Sequence, residues 1–486
     1  MNTARAVTTP EAGTSHPHRL KPNTIGPWGL AALAIGICSP ALGIYALWAP
    51  MQAAAGPITP LVFLAAMVMI LPTAISYALL NREAPSVAAS SSWLWTAVHP
   101  AVGLQAGLMM ITYFFMAAAA QPPMFALFFR DLLTLLHVHL PISVTMTLGV
   151  LLSSAPIAWL CLRGAEASIK STVRLMLIES LVVVALSVTI LVARSSEPDA
   201  INLSPFNPRL VSSPSGFWTA MILGVLAFCG FDVVSTAAEE AHAPREHLPK
   251  AILLTVVGIG LFWAVNAWAF TLSASPVLVE RYTTEGLTAV TPIAQAYWGW
   301  GEIVIILTAF TGLTAIYISS MQGTSRIVFA LARQGLLPAM LARLAGEKRV
   351  PQNAVLTILA AVIALDLLSF YLLQNGLDSF TWWANALVFF ATLTFIAVNV
   401  ANMLFFWRRA RQRFGIIKNG LIPALGIASN VYVIHAAFFS ALWAGGWRTG
   451  KSVILVCVFL FALQLLSVAW LQLFRPESLR SDCPIG

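Results

Sequence analysis

The sequence predicts an all-α membrane protein of twelve transmembrane helices, with the first and sixth broken at mid-depth. Three observations carry that expectation. Of 486 residues, 59% are hydrophobic and only 9% are charged, and the mean hydropathy is +0.82; a soluble globule needs a more polar surface than this. Apolar stretches near the ~20 residues needed to cross a bilayer recur twelve times. Two of them carry helix-breaking residues at their centres, which lipid tolerates only where the freed backbone groups face protein, water or a bound solute.

Residues 1–24 are polar and rich in Thr, Pro and His. They lack the apolar core of a signal peptide and read as a disordered cytoplasmic tail. The first span, residues 25–50, contains Cys38-Ser39-Pro40-Ala41-Leu42-Gly43-Ile44-Tyr45, where Pro40 removes a helical hydrogen bond and Gly43 exposes backbone. Further spans fall at residues 58–80, 100–129, 142–162, 170–194, 216–240, 249–273, 294–322, 353–373, 381–407, 421–443 and 452–474. The sixth breaks at Cys229-Gly230 and carries Asp232. Broken spans five helices apart are the placement expected of two inverted repeats with a site at their interface. These repeats divide a ten-helix core, residues 25–410, into halves at 25–194 and 214–410. Two additional helices occupy 411–474, and 475–486 form a cytoplasmic tail.

Basic residues set the orientation. With the N-terminus in the cytoplasm, only Arg130, Arg194, Arg209, Arg281, Arg448 and Lys451 of the 27 Lys and Arg face outward, as the positive-inside rule requires. The net charge of +8 is therefore a topology signal and not a nucleic-acid footprint. The five cysteines show no metal or redox spacing and read as reduced core residues. The sequence holds no HExxH, GxSxG or Walker motif, which argues against a membrane enzyme and an ATP-driven pump. A channel would repeat a pore motif or line one helix face with polar residues, neither of which is present, and a receptor has no need of two broken helices, so the class left is a secondary transporter.

Four stretches point to a family. Gly230-Phe231-Asp232, Ala238-Glu239-Glu240, Pro244-Arg245 and Leu248-Pro249-Lys250-Ala251-Ile252 together resemble the sixth-helix signature of the amino acid–polyamine–organocation transporters. The closest flavour is that of bacterial homologues of cationic amino acid transporters. LPTAISYA from Leu71 to Ala78, with Ala84-Pro85-Ser86, resembles the second helix and its exit loop. GAEAS from Gly164 to Ser168 resembles the entry to the fifth, and Ser325-Arg326, FALARQGLLP from Phe329 to Pro338 and Val350-Pro351 resemble the loop after the eighth. Four matches in register make a specific signal.

The resemblance implies a five-plus-five inverted repeat of the leucine-transporter type, working by alternating access in the cytoplasmic membrane. It implies an amino acid or amine as substrate, no organic cofactor, no obligate protein partner, and a proton or sodium as coupling ion. It further implies that the backbone N–H groups of Ala41, Leu42, Gly43 and Ile44 hold a substrate carboxylate. The carbonyls of Ala227, Phe228 and Cys229 would hold its ammonium, with Phe231 as a gate; the dipoles of broken helix ends suit both roles. The family often writes the first break as Gly-Ser-Gly-Ile, and this chain has Ala-Leu-Gly-Ile. A zwitterionic amino acid is therefore the first expectation, moved by proton-coupled symport, with a cationic amino acid, polyamine or other amine lacking the carboxylate as the alternative substrate and exchange as the alternative cycle.

Asp232 reads either as a proton carrier, since mid-membrane acids are usually functional, or as the cap of the resumed half-helix. Glu179 falls where many bacterial members carry a lysine thought to stand in for a sodium ion. It reads as a proton or cation site, or as a structural acid paired with Arg174, Lys170, Ser319 or Ser320. Glu239 and Glu240 are expected to pair with Arg326 or Arg333 as a cytoplasmic gate. Gln121 is a candidate for the outer vestibule, Ala117 to Ala120 for close helix packing, and Trp382 and Trp383 for interfacial anchors. Asp366 and Glu302 read as structural.

Overall fold

A computed structural model describes residues 20–274, 290–443 and 446–479. Most of the expected N-terminal tail, Arg281 and Cys483 lie outside those residues. Among the described residues twelve helices are long and apolar enough to cross a membrane: Pro27–Tyr45, Trp48–Glu83, Pro100–Leu135, Ile142–Leu162, Glu166–Arg194, Pro214–Ala237, Pro244–Ser273, Val290–Arg333, Gln352–Leu373, Gly376–Arg408, Ile417–Ser440 and Trp447–Phe474. They are called the first to twelfth spans below, and each overlaps the corresponding apolar stretch of the sequence.

Burial sorts centre from rim. In its most apolar window the first span is 83% buried, and the third, sixth and tenth 67%, against 22% for the twelfth. The first and sixth spans thus sit at the middle of the bundle. The seventh span packs along the second, and the third against both the eighth and the tenth.

Apolar side chains gain little by leaving lipid for protein, so polar contacts matter more between membrane helices than their number suggests. One such set joins the second, tenth and eleventh spans. Asn399 Nδ2 donates to Thr73 Oγ1 at 2.9 Å, Ser76 Oγ to Asn399 Oδ1 at 2.7 Å, Asn402 Nδ2 to Ser76 Oγ at 3.0 Å and Asn430 Nδ2 to Thr73 Oγ1 at 3.1 Å.

Two sequence expectations need correction. Leu20 and Ile25 are buried, and residues 20–25 are strapped to the loop after the sixth span, so the free tail cannot extend to residue 24. Thr24 N and Ile25 N donate to the Glu240 carbonyl at 2.8 and 3.0 Å, and His242 N donates back to the Ile25 carbonyl at 3.0 Å. Trp383 is buried with its indole N–H on Ser369 Oγ at 3.3 Å; it fills the bundle core instead of anchoring at an interface. Its polar N–H found a partner inside, which periodicity cannot show.

Candidate functional site

Proline chemistry makes the first break. A residue before proline is driven out of the α region, so the helix stops at Cys38, Ser39 takes φ 41°, ψ 107°, and a second short helix runs from Pro40 to Tyr45. Ser39 caps that helix by accepting the Leu42 N–H at 3.2 Å.

The α-helix of the sixth span stops at Phe228. Cys229 is extended, Gly230 takes φ 113°, and a 3₁₀ helix follows from Phe231 to Ala237. That positive φ suits glycine, and a Cβ at Gly230 would also meet the Ile37 side chain at 2.7 Å. The two breaks therefore touch, and Cys38 Sγ lies 3.9 Å from the Phe228 carbonyl.

Between the breaks lies a cavity of about 80 Å³, well above the ~10–15 Å³ that a single water needs. Cys38, Leu42 and Gly43 wall it from the first span, and Leu226, Ala227 and Cys229 from the sixth. Ala117, Ala120 and Gln121 face them from the third, Leu313 and Ile316 from the eighth, and Phe380, Ala384 and Leu387 from the tenth. Gly43 admits the close approach of Trp263: a Cβ there would run into the indole, whose N–H donates to the Pro40 carbonyl at 3.1 Å.

The structure sorts the sequence candidates. Of the four residues of the implied anion cradle, Leu42 and Gly43 line the cavity and Ala41 and Ile44 do not. The Leu42 N–H is held by Ser39 Oγ and the Gly43 N–H by the Ser39 carbonyl at 3.2 Å. Ala227 and Cys229 line the cavity, whereas Phe228 packs against Trp263 at 5.1 Å between ring centroids.

Phe231 and Asp232 lie off the cavity wall. Phe231 packs against Tyr77 and Phe395, at 5.5 and 5.4 Å between centroids. Asp232 Oδ1 accepts from the Tyr113 hydroxyl at 2.7 Å, and Oδ2 has no hydrogen-bond partner. Gln121 does line the cavity, as do Ala117 and Ala120, which the sequence suggested only for packing.

Glu179 is fully buried. Its Oε2 accepts from Ser39 Oγ at 2.6 Å, while Oε1 has no hydrogen-bond partner. None of the partners suggested from sequence is involved: Lys170 pairs with Glu166 at 2.7 Å, Arg174 is exposed, and the Ser319 and Ser320 hydroxyls have no partner. A serine at a helix break and an acid on another helix carry no shared pattern, so the Ser39–Glu179 contact left no signal beyond the two residue types. The same holds for Tyr113 beside Asp232 and Trp263 beside Gly43.

On the side of the N-terminal strap, Arg326 Nε meets Glu240 Oε2 at 2.6 Å and Arg333 Nη2 meets Glu239 Oε1 at 2.7 Å. Leu20 N adds a bond to Glu239 Oε2 at 3.1 Å. Burial pushes the Glu240 carboxyl up from the ordinary carboxylate range, and Arg326 pulls it partly back. Among the described residues no group of three or more His, Cys, Asp or Glu is placed to hold a metal ion.

A twelve-span helical bundle enclosing a small cavity between two broken central helices defines a membrane solute transporter. The chain belongs to the amino acid permease family, whose model matches residues 25–463, and it is a permease and not an enzyme. It is similar to the branched-chain amino acid permease BcaP of Bacillus subtilis, with 26% identity over 375 residues, 73% of this chain and 78% of that one. It is also similar to cationic amino acid transporter 5 of Arabidopsis thaliana, with 29% identity over 207 residues, 41% of this chain and 35% of that one. A manganese transporter of Eremococcus coleocola superposes with a TM-score of 0.59 at 10% identity, covering 93% of this chain and 94% of that one. That likeness speaks for the fold alone, which is of the leucine-transporter type.

Proposed function

We propose that this permease carries α-amino acids with uncharged, apolar side chains across the cytoplasmic membrane by alternating access, coupled to a proton taken up at Glu179. The observation that carries the substrate class is the cavity wall. Among the described residues no charged side chain lines it, and besides two cysteine thiols the one polar side chain is that of Gln121, its amide N–H already donating to the Ala117 carbonyl at 2.7 Å. A lysine or arginine side chain would sit there without a counter-charge, at a cost of several kcal/mol. An apolar side chain fits, and the similarity to a branched-chain amino acid permease supports the same class.

For coupling, the supporting geometry is a relay from Glu179 through Ser39 to the Leu42 amide at the cavity wall. A proton arriving on Glu179 changes which way the Ser39 hydroxyl donates, and so changes the cap of the short helix. Asp232, with one free oxygen, is the second candidate for that proton; sodium is the alternative ion. A second substrate reading, an amine without a carboxylate or an amine exchanger, is favoured by the engaged Leu42 and Gly43 amides. A substrate carboxylate must compete with Ser39 for them.

The test is uptake of labelled leucine, lysine and putrescine into proteoliposomes under an inward proton gradient, with wild type, Glu179→Gln and Asp232→Asn. Leucine accumulation that Glu179→Gln converts to simple exchange supports the proposal. Preference for lysine or putrescine, or gradient-driven accumulation by Glu179→Gln, would overturn it.

A further inference from the structure

A second, smaller cleft of about 40 Å³ lies on the N-terminal side of the molecule, lined by the Glu240–Arg326 pair. Its polar wall is incompletely satisfied. Gln322 and Arg326 are 6% and 4% exposed, yet both amide atoms of Gln322 and Nη1 of Arg326 lack a hydrogen-bond partner. Buried polar groups left in this condition are uncommon and call for a ligand or water. Arg326, Lys348 and Arg349 line the cleft against a single acid, Glu240, so it favours a negative group. Gln322 nonetheless offers an unused acceptor in the cleft that the Glu240 carboxylate also lines, which suits a positively charged donor. Val350 and Val355 supply an apolar wall.

We infer that this cleft is a second amino acid site, separate from the central cavity. The carboxylate of a zwitterion pairs with Arg326 Nη1 under the field of Lys348, its ammonium with Gln322 Oε1 and Glu240, and its apolar side chain with Val350 and Val355. Resting on the proposed amino acid transport, the inference gives the cleft a task. Substrate released toward the cytoplasm binds beside the gate, engages Arg326, and so ties the occupancy of the inner site to the Glu240–Arg326 pair. Accumulated substrate then inhibits further entry from within.

The experiment is equilibrium binding of labelled L-leucine to the purified full-length protein in lipid nanodiscs. Two equivalents per chain are expected for wild type. Gln322→Leu should keep only the central one, and Ala384→Leu, which fills the central cavity, only the inner one. Lys348→Ala, at an exposed position where folding is not at risk, should weaken the inner equivalent about threefold, as loss of a rim charge does.

A single equivalent retained in Gln322→Leu and lost in Ala384→Leu overturns the inner site and leaves the transport proposal standing. A single equivalent with the opposite behaviour supports the inner site and overturns the central one. No binding to wild type overturns both. If inorganic phosphate displaces the inner equivalent as well as leucine does, the cleft is a simple anion site and the amino acid assignment fails.

Discussion

Ser39→Ala tests the link between the buried acid and the cavity wall, because it removes two interactions and nothing else. One is the 2.6 Å hydrogen bond to Glu179 Oε2; the other is the cap on the Leu42 N–H at 3.2 Å. Loss of an N-cap costs about 0.5–2 kcal/mol. A hydrogen bond to a charged group is worth about 1.5–3 kcal/mol and to a neutral group about 1. The total is therefore about 2–5 kcal/mol if Glu179 is ionised and about 1.5–3 if it carries a proton. Thermal unfolding of Ser39→Ala, Glu179→Gln and the double variant in detergent reads this directly. We expect a coupling energy of about 1 kcal/mol or more between the two sites, since residues sharing a hydrogen bond are not additive. In proteoliposomes Ser39→Ala should still exchange leucine while losing most gradient-driven accumulation. Additive effects on unfolding together with normal accumulation would refute the relay.

Other outcomes follow from particular contacts. Gly43→Ala drives a methyl into the fully buried Trp263 indole, so it should cost about 1–3 kcal/mol in thermal stability and abolish leucine binding; Trp263→Phe in the same chain should restore part of both. Gly230→Ala places a side chain at φ 113° and against Ile37, with an expected loss of about 1–3 kcal/mol read by the same assay. Asn399→Leu takes one partner each from Thr73 and Ser76, which keep Asn430 and Asn402, and should lower stability by about 1–2 kcal/mol with leucine affinity unchanged. Glu240→Gln leaves Arg326 buried without its counter-charge, a loss of about 3–5 kcal/mol to the closed gate. It should raise the rate at which a thiol reagent on the cytoplasmic side labels Cys229, and an unchanged rate would count against the gate.

Much of the architecture was legible because membrane physics is blunt. Length and hydropathy alone give twelve spans, and the rule that a residue before proline avoids the α region places the first break at Ser39. Gly230 marks the second in the same way. Four motifs in register gave the family. The site was less legible because its contacts join residues far apart in sequence. Glu179 and Asp232 stand out as costly mid-membrane acids, but their partners Ser39 and Tyr113 are ordinary polar residues whose facing depends on helix rotation. Trp383 misled for the same reason: a tryptophan near a span end is usually interfacial, and only packing shows that this one turns inward. The strap at residues 20–25 was hidden because its bonds are backbone bonds, which any residue type makes.

The asymmetry of the two ends says what the transport cycle must do. In the proposed orientation the structure is sealed on the cytoplasmic side. The seal consists of two acid–base pairs at 2.6 and 2.7 Å, three backbone hydrogen bonds between residues 24–25 and residues 240–242, and the Leu20 bond to Glu239. Each backbone bond is worth about 1 kcal/mol net. The Glu240–Arg326 pair is worth little against an apolar substitute, but it is costly to split while both partners stay buried. Opening therefore has to hydrate both partners together, and the strap must leave with the first span because it is bonded to the loop that carries Glu240. Inverting a 1:99 equilibrium needs a differential of about 5.5 kcal/mol, the scale of this whole seal. Neither a proton at Glu179 nor substrate in an apolar cavity is expected to supply it alone. Tight coupling then means that the two must act in concert, and a substrate that fills the cavity without disturbing the Ser39 cap should bind and fail to be transported.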